Sequence, residues 1–344
     1  MKTPLTGQVA VVAGATRGAG RGIARMLGEA GATVYCSGRS VAGQPATKNR
    51  PETIDETAAL VTAAGGRGIA VQTDHLQADQ VQRLFARVKQ EAGRLDVLVN
   101  DIWGGDDLTE WGTKFWALDP AKGFAILDSA VRTHILTSRY GVPLMIEQKS
   151  GLVVEITDGD HPGYRGTLYY DLAKTGAIRL ALDMAEDLQG TGVTALAVTP
   201  GFLRSEAMLE RFGVTEANWR DAAAKVQGFE ASETPCFVGR AVAALAADPD
   251  AHAKAGGAYA SWTLSDEYGF IDIDGGRPHW GRYMLGYTNG ILERGGPTTP
   301  EEKFWMVAVY WQFKYDPRFR EMKQRIDAVM GTPASDYDPR GIED

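Results

Sequence analysis

Residues 8–24, QVAVVAGATRGAGRGIA, decide the fold. Gln8 to Ala13 is a short apolar run, Gly14-Ala15-Thr16-Arg17-Gly18-Ala19-Gly20 is a glycine-rich turn, and helical spacing runs from about Arg21 to Ala30. Strand, glycine turn and helix in this order aim backbone N–H groups and a positive helix end at a phosphate. The spacing is GxxxGxG and not GxGxxG, so a plain tight turn is the alternative reading.

Working outward, short apolar runs alternate with helical periodicity. TVYCSG, residues 68–72, LDVLVN, GLVVEIT and TALAVTP read as five further strands, separated by helices over about 52–64, over 79–92 and up to about Gln148. Strands apolar on both faces imply a parallel sheet covered on each side, and right-handed crossovers give a doubly wound α/β arrangement with ligand at the carboxyl ends of the strands. Two segments interrupt the repeat: 101–122, rich in Gly, Asp and Trp, and 201–235, both expected as insertions over a binding site. Residues 1–268 form the expected single domain. Residues 269–344 are an aromatic-rich, helical extension packed on it, with Pro300 and Glu301 at a helix start.

Composition narrows the function classes. The 344 residues are 44% hydrophobic and 23% charged, with net charge −8 and pI near 5.3. No cluster of Lys and Arg marks a nucleic-acid or anionic-membrane partner. Cys36 and Cys236 lack metal-ligand or disulfide spacing, so no metal is expected and a reduced, cytoplasmic protein is. No leader-like start and no apolar run of about 18 residues is present, so no membrane partner is expected.

The end of the second strand, Cys36-Ser37-Gly38-Arg39, offers no Asp or Glu for a ribose diol. Arg39 and Arg17 instead suit a 2′-phosphate through charge-assisted bonds, which predicts NADP(H) as cofactor. Farther along, Tyr170 and Lys174 stand four apart in a helical stretch and share one face. A neighbouring ammonium lowers a phenol's pKa toward the range useful in acid/base catalysis.

These residues resemble the short-chain dehydrogenase/reductase family. Gly14, Gly18 and Gly20 are similar to its TGxxxGxG loop, Asp74 to its adenine-contacting acid, Asn100 to the start of NNAG, and Tyr170 with Lys174 to its YxxxK pair. Pro200-Gly201-Phe202-Leu203-Arg204-Ser205 resembles PGxxxT, whose hydroxyl meets the nicotinamide amide. The resemblance covers about residues 5–262 and implies a Rossmann fold, hydride transfer with Tyr170 as acid/base, and Lys174 on the nicotinamide ribose. It further implies a cofactor set of Gly14, Thr16, Arg17, Gly18, Gly20, Arg39, Asp74, Asn100, Lys174, Pro200, Gly201 and Ser205, and a homodimer or homotetramer. EYGFIDIDGGRP near the end resembles the dehydrogenase/reductase member 1-like subgroup.

The chain also departs from the family pattern. The serine expected after the fifth strand is absent: counting back from the tyrosine selects Thr157, whereas the strand's own pattern selects Asp158. An ionised Asp158 repels an oxyanion, whereas a protonated one could donate; the acids at this cleft predict a shift toward substrates that carry or develop positive charge, such as iminium groups. The family's helix asparagine is also missing from Leu127–His134. Trp103, Trp111, Trp116 and His161 are expected around the substrate, which predicts a bulky apolar small molecule, although the rings could instead pack under the extension. The alternative functions are an NADP-binding protein without redox turnover, acting as sensor or scaffold, and a non-redox lyase, epimerase or isomerase.

Overall fold

The computed structural model describes residues 3–44, 50–161, 163–313 and 319–330. Seven parallel strands lie in the order β3-β2-β1-β4-β5-β6-β7: β1 (Val9–Ala13), β2 (Thr33–Gly38), β3 (Arg67–Gln72), β4 (Val97–Asn100), β5 (Gly151–Ile156), β6 (Val193–Thr199) and β7 (Ala258–Ala260). This is the doubly wound α/β sheet expected from the sequence. β7 and the helix before it are additions that the sequence reading lacked.

Alternation along each strand builds the two faces. Ala10 and Val12 of β1 join one core with Ile23 and Leu27 of α1 (Gly18–Glu29), Ile54 and Val61 of α2 (Ile54–Ala63), and Val238 and Val242 of α9 (Pro235–Ala247). Val9 and Val11 point the other way, toward Leu84 and Val88 of α3 (Ala78–Ala92) and Leu144 and Met145 of α5 (Thr133–Gln148). Gly22 makes the α1–α9 approach possible, since a Cβ there would run into the Pro235 carbonyl.

The chain order reverses between β1 and β4, which leaves a crevice at their carboxyl ends. Segment 101–122 carries two short 3-10 turns and leads into α4 (Pro120–Leu127). A π-turn at Asp128–Arg132 joins α4 to α5, and α6 (Leu168–Asp187) follows β5. Segment 201–235 holds α7 (Glu206–Arg211) and α8 (Arg220–Ala223). Arg204, fully buried, ties it down by stacking on Trp219 at 4.0 Å and pairing with Asp274 at 2.7 Å.

After α10 (Ser261–Tyr268), helices α11 (Trp280–Glu293), α12 (Pro300–Phe313) and α13 (Arg320–Met330) share a core of Met284, Ile291, Met306, Val309 and Ile326. The helix start expected at Pro300 is found there. The extension docks on the sheet's carboxyl edge, where Trp280 meets Phe202 at 5.7 Å and Phe313 stacks on His161 at 4.7 Å. The part of the extension from 331 to 344 lies outside the described residues.

Candidate active site

The glycine turn is forced by contact as well as by dihedral angle. Gly14 has φ +90° and Gly18 φ +57°, a region where only glycine is at ease. A Cβ on Gly14 would strike the Asp101 carbonyl, and one on Gly20 would lie 2.5 Å from the Gly14 carbonyl oxygen. Helix α1 begins at Gly18, earlier than the sequence spacing implied. Its N-cap Arg17 gives no side-chain acceptor, and the Gly18 N–H donates instead to Glu206 Oε2 at 2.8 Å. A carboxylate from α7 thus occupies the mouth of the helix, where an anion is favoured. Arg21 stands 3.6 Å from the same carboxylate.

From this turn a groove of about 600 Å³ runs along the crevice. Thr16, Arg17, Arg39 and Asp74 line one part of it, and Asp101, Trp103, Tyr170, Lys174, Pro200, Gly201 and Ser205 the other. Asn100 is not in its wall. That side chain is fully buried beneath, donating to Ser138 Oγ at 3.0 Å and to Glu155 Oε1 at 2.6 Å. Glu155 also meets His134 Nδ1 at 2.6 Å, and His134 Nε2 reaches the Ile102 carbonyl at 3.1 Å. This cluster ties β4, β5 and α5 together under the groove.

A second cavity, of about 590 Å³, adjoins the groove at Tyr170. Trp111, Tyr164, Phe304 and Trp311 form its aromatic walls, with Asp158, Arg165 and Tyr170 completing the lining. Asp158 and Tyr170 line both the groove and this cavity. A third space of about 370 Å³ under α11 also touches Asp158.

The two counts for the missing serine are separated by geometry. The Thr157 hydroxyl donates to the Lys174 carbonyl at 2.6 Å and so anchors α6 on β5. The Tyr170 hydroxyl donates to Asp158 Oδ2 at 2.8 Å, so Asp158 faces the phenol.

The electrostatics correct one expectation. Lys174 does not poise a readily ionised phenol here: burial first, then Asp158, pushes Tyr170 well above 10. Lys174 Nζ rests 3.9 Å from the Trp103 ring centre and 5.5 Å from that of Tyr170. Burial lowers its own pKa, against the pull of Asp158, Asp101 and Asp106. Burial also lifts the Asp101 carboxyl to about 7, opposed by Lys174 and the Gly20 N–H.

Two residues expected in the substrate pocket stand outside it. Trp116 is 73% exposed and meets Phe115 edge-on at 5.1 Å, because its short 3-10 turn projects from the body of the protein. His161 is buried between Asp160 and α12, with its ring nitrogens 2.7 Å from Asp160 Oδ1 and 3.0 Å from the Gln312 carbonyl. It braces the extension. Among the described residues no group of three His, Cys, Asp or Glu could hold a metal, and no helix is long and apolar enough to cross a membrane.

The sequence reading passed over Glu155, Glu206 and Arg165. A lone acid in the apolar strand LVVEI was a usable signal, since a buried carboxyl needs partners. For Glu206 there was none, as its partner lies 188 positions away.

The short chain dehydrogenase family profile matches residues 8–213. Dehydrogenase/reductase SDR family member 1 of Mus musculus is 36% identical over 292 residues, 83% of this chain and 90% of that protein. The Homo sapiens protein of the same name is 34% identical over 280 residues, 80% of this chain and 86% of its own. Among solved structures, a short chain dehydrogenase from Mycobacterium thermoresistibile superposes with TM-score 0.67 at 21% identity, over 80% of this chain and 92% of that one. A metagenomic short-chain oxidoreductase in complex with NADP gives 0.54 at 26% identity, over 72% and 94%. Seven parallel strands, the glycine turn and these relatives agree, and the chain belongs to the short-chain dehydrogenase/reductase family, oxidoreductases that bind a nicotinamide cofactor.

Proposed function

We propose that this protein is an NADP(H)-dependent oxidoreductase that transfers hydride at a carbonyl, alcohol or imine centre of a bulky apolar small molecule. One observation carries the reading: Tyr170 lines both the phosphate-type groove and the aromatic cavity. The residues fit the cofactor. The glycine turn has no room for a Cβ at Gly14 or Gly20, and its Gly18 N–H already holds a carboxylate where a diphosphate would sit. Arg17 and Arg39 would hold the 2′-phosphate, Asp74 the adenine, and Lys174 the nicotinamide ribose. Pro200, Gly201 and Ser205 would border the nicotinamide.

When bound, the cofactor supplies a hydride donor or acceptor. Tyr170 holds the proton given to, or taken from, the substrate oxygen or nitrogen. Asp158 fixes the direction of the phenol O–H, and Thr157 fixes the helix that carries it. Trp111, Trp311 and Phe304 select a large apolar body. The catalytic unit would comprise residues 1–268, with α12 of the 269–344 extension walling the cavity. Phe124 at 61% and Leu172 at 46% exposure offer apolar surface to a homodimer or homotetramer.

Calorimetric titration tests the cofactor. NADPH is expected to bind at least about tenfold tighter than NADH, and Arg39→Ser to remove most of that difference, as loss of a charge-assisted phosphate bond requires. A preference for NADH overturns the assignment. Absence of NADPH oxidation with a panel of ketones, enones and imines overturns the redox reading.

Glu206 gives an independent expectation. Its carboxylate must leave the helix mouth when a diphosphate enters, so Glu206→Gln is expected to tighten NADPH binding about fivefold, the scale of one charge at a helix end. Unchanged affinity in the same titration would show that Glu206 does not compete.

A further inference from the structure

The aromatic cavity carries a feature that ketone reduction does not need. Reduction of a ketone builds negative charge on oxygen, and an effective site surrounds that oxygen with donors. Here the phenol proton is already directed at Asp158, at 2.8 Å, and the carboxylate offers only lone pairs. Around it stand Trp111, 5.0 Å from the Tyr170 ring centre, with Tyr164 and Trp311 6.0 Å apart beyond, and Phe304. A carboxylate at the floor of aromatic walls is the chemistry that recognises an organic cation. In the adjoining groove an ammonium already rests on an aromatic face, Lys174 over Trp103 at 3.9 Å.

Among the described residues Arg165 is the one cation in this cavity's lining, and its donors are committed elsewhere. Its Nη atoms donate to the His161 carbonyl at 2.7 Å and the Gly163 carbonyl at 2.5 Å, and Asp171 lies 3.8 Å away. Its Nε has no partner but is sealed from solvent, so it is not presented to a ligand.

We propose that the cavity takes a substrate whose reacting centre is a cationic iminium, held between Asp158 and the faces of Trp111 and Tyr170. This rests on the hydride-transfer reading above. In the reductive direction a C–H bond forms at the iminium carbon with a hydride from the bound dihydronicotinamide. The C=N π pair becomes the nitrogen lone pair, the nicotinamide is oxidised, and a neutral amine leaves. No proton donor is required. This suits a phenol whose hydrogen is engaged by a carboxylate.

The test uses the full chain and three probes of similar size: N-methyl dihydroisoquinolinium, α-tetralone and naphthoate. In calorimetry without cofactor, the cation is expected to bind at least about tenfold tighter than the other two, as combined cation–aromatic and carboxylate contacts imply. Asp158→Asn keeps the size and an acceptor for Tyr170, and is expected to bring the cation within about twofold of the ketone. Equal affinities in the unaltered protein overturn the proposal. So does tighter naphthoate, which would make Arg165 the recognising group. With NADPH, the iminium is expected to be consumed at least about tenfold faster than the ketone. Ketone consumption without iminium consumption ends this inference and leaves hydride transfer standing; consumption of neither ends both.

Discussion

Tyr170→Phe is expected to lower kcat for ketone reduction by about 1,000-fold while leaving NADPH affinity within about twofold, the range in which a positioned proton donor acts. The substitution removes one oxygen and keeps the ring, so the contacts to Trp103 at 5.5 Å and Trp111 at 5.0 Å survive. Loss in kcat without loss of binding therefore isolates the hydroxyl. The pH profile supplies a second readout. With the phenol held well above 10, its acid form persists through neutral pH. Ketone reduction should stay flat with respect to this group there, whereas alcohol oxidation, which needs the proton removed, should rise as pH increases. Retention of a tenth of the activity in Tyr170→Phe would move the proton to Asp158 or to water.

Glu155→Ala is expected to cost about 3–5 kcal/mol of folding stability, the range for removing one member of a buried polar pair. The residue is fully buried and accepts from both Asn100 and His134. Its loss leaves the buried His134 Nδ1 without its partner and the Asn100 amide with Ser138 alone, and adds a cavity. Denaturant titration reads the loss as a lower midpoint. Glu155→Gln, which retains an oxygen toward one neighbour, should lose less. A change below about 1 kcal/mol in Glu155→Ala would mean that the apolar faces of β4 and β5 hold the crevice floor without this cluster.

The expectation for Asn100 shows how a correct motif can misplace a side chain. Asn100 does close β4 beside the glycine turn, as the LVN run implied, but its side chain is drawn into the polar cluster beneath. Thr157 and Asp158 illustrate the same limit. Adjacent positions at a strand end face opposite ways, and the two counting rules differ by one residue, so which hydroxyl or carboxyl meets Tyr170 depends on how β5 turns toward α6. Trp116 and His161 stand outside the lining of the aromatic cavity: nearness in sequence to the site set their expectation, whereas Trp116 rides on a projecting, exposed turn and His161 stacks on Phe313.

By itself the sequence determined six of the seven strands, the glycine turn and the shared face of Tyr170 and Lys174, because strand alternation, glycine's backbone freedom and the helical repeat are local rules that act over a few residues. Tertiary structure alone decided that Asp158 and not Lys174 engages the phenol, that Glu206 caps a helix opening 188 positions earlier, and that α12 walls the aromatic cavity. Those contacts join elements far apart in the chain. Their distances follow from how the two layers of helices close on the sheet, which no local pattern encodes.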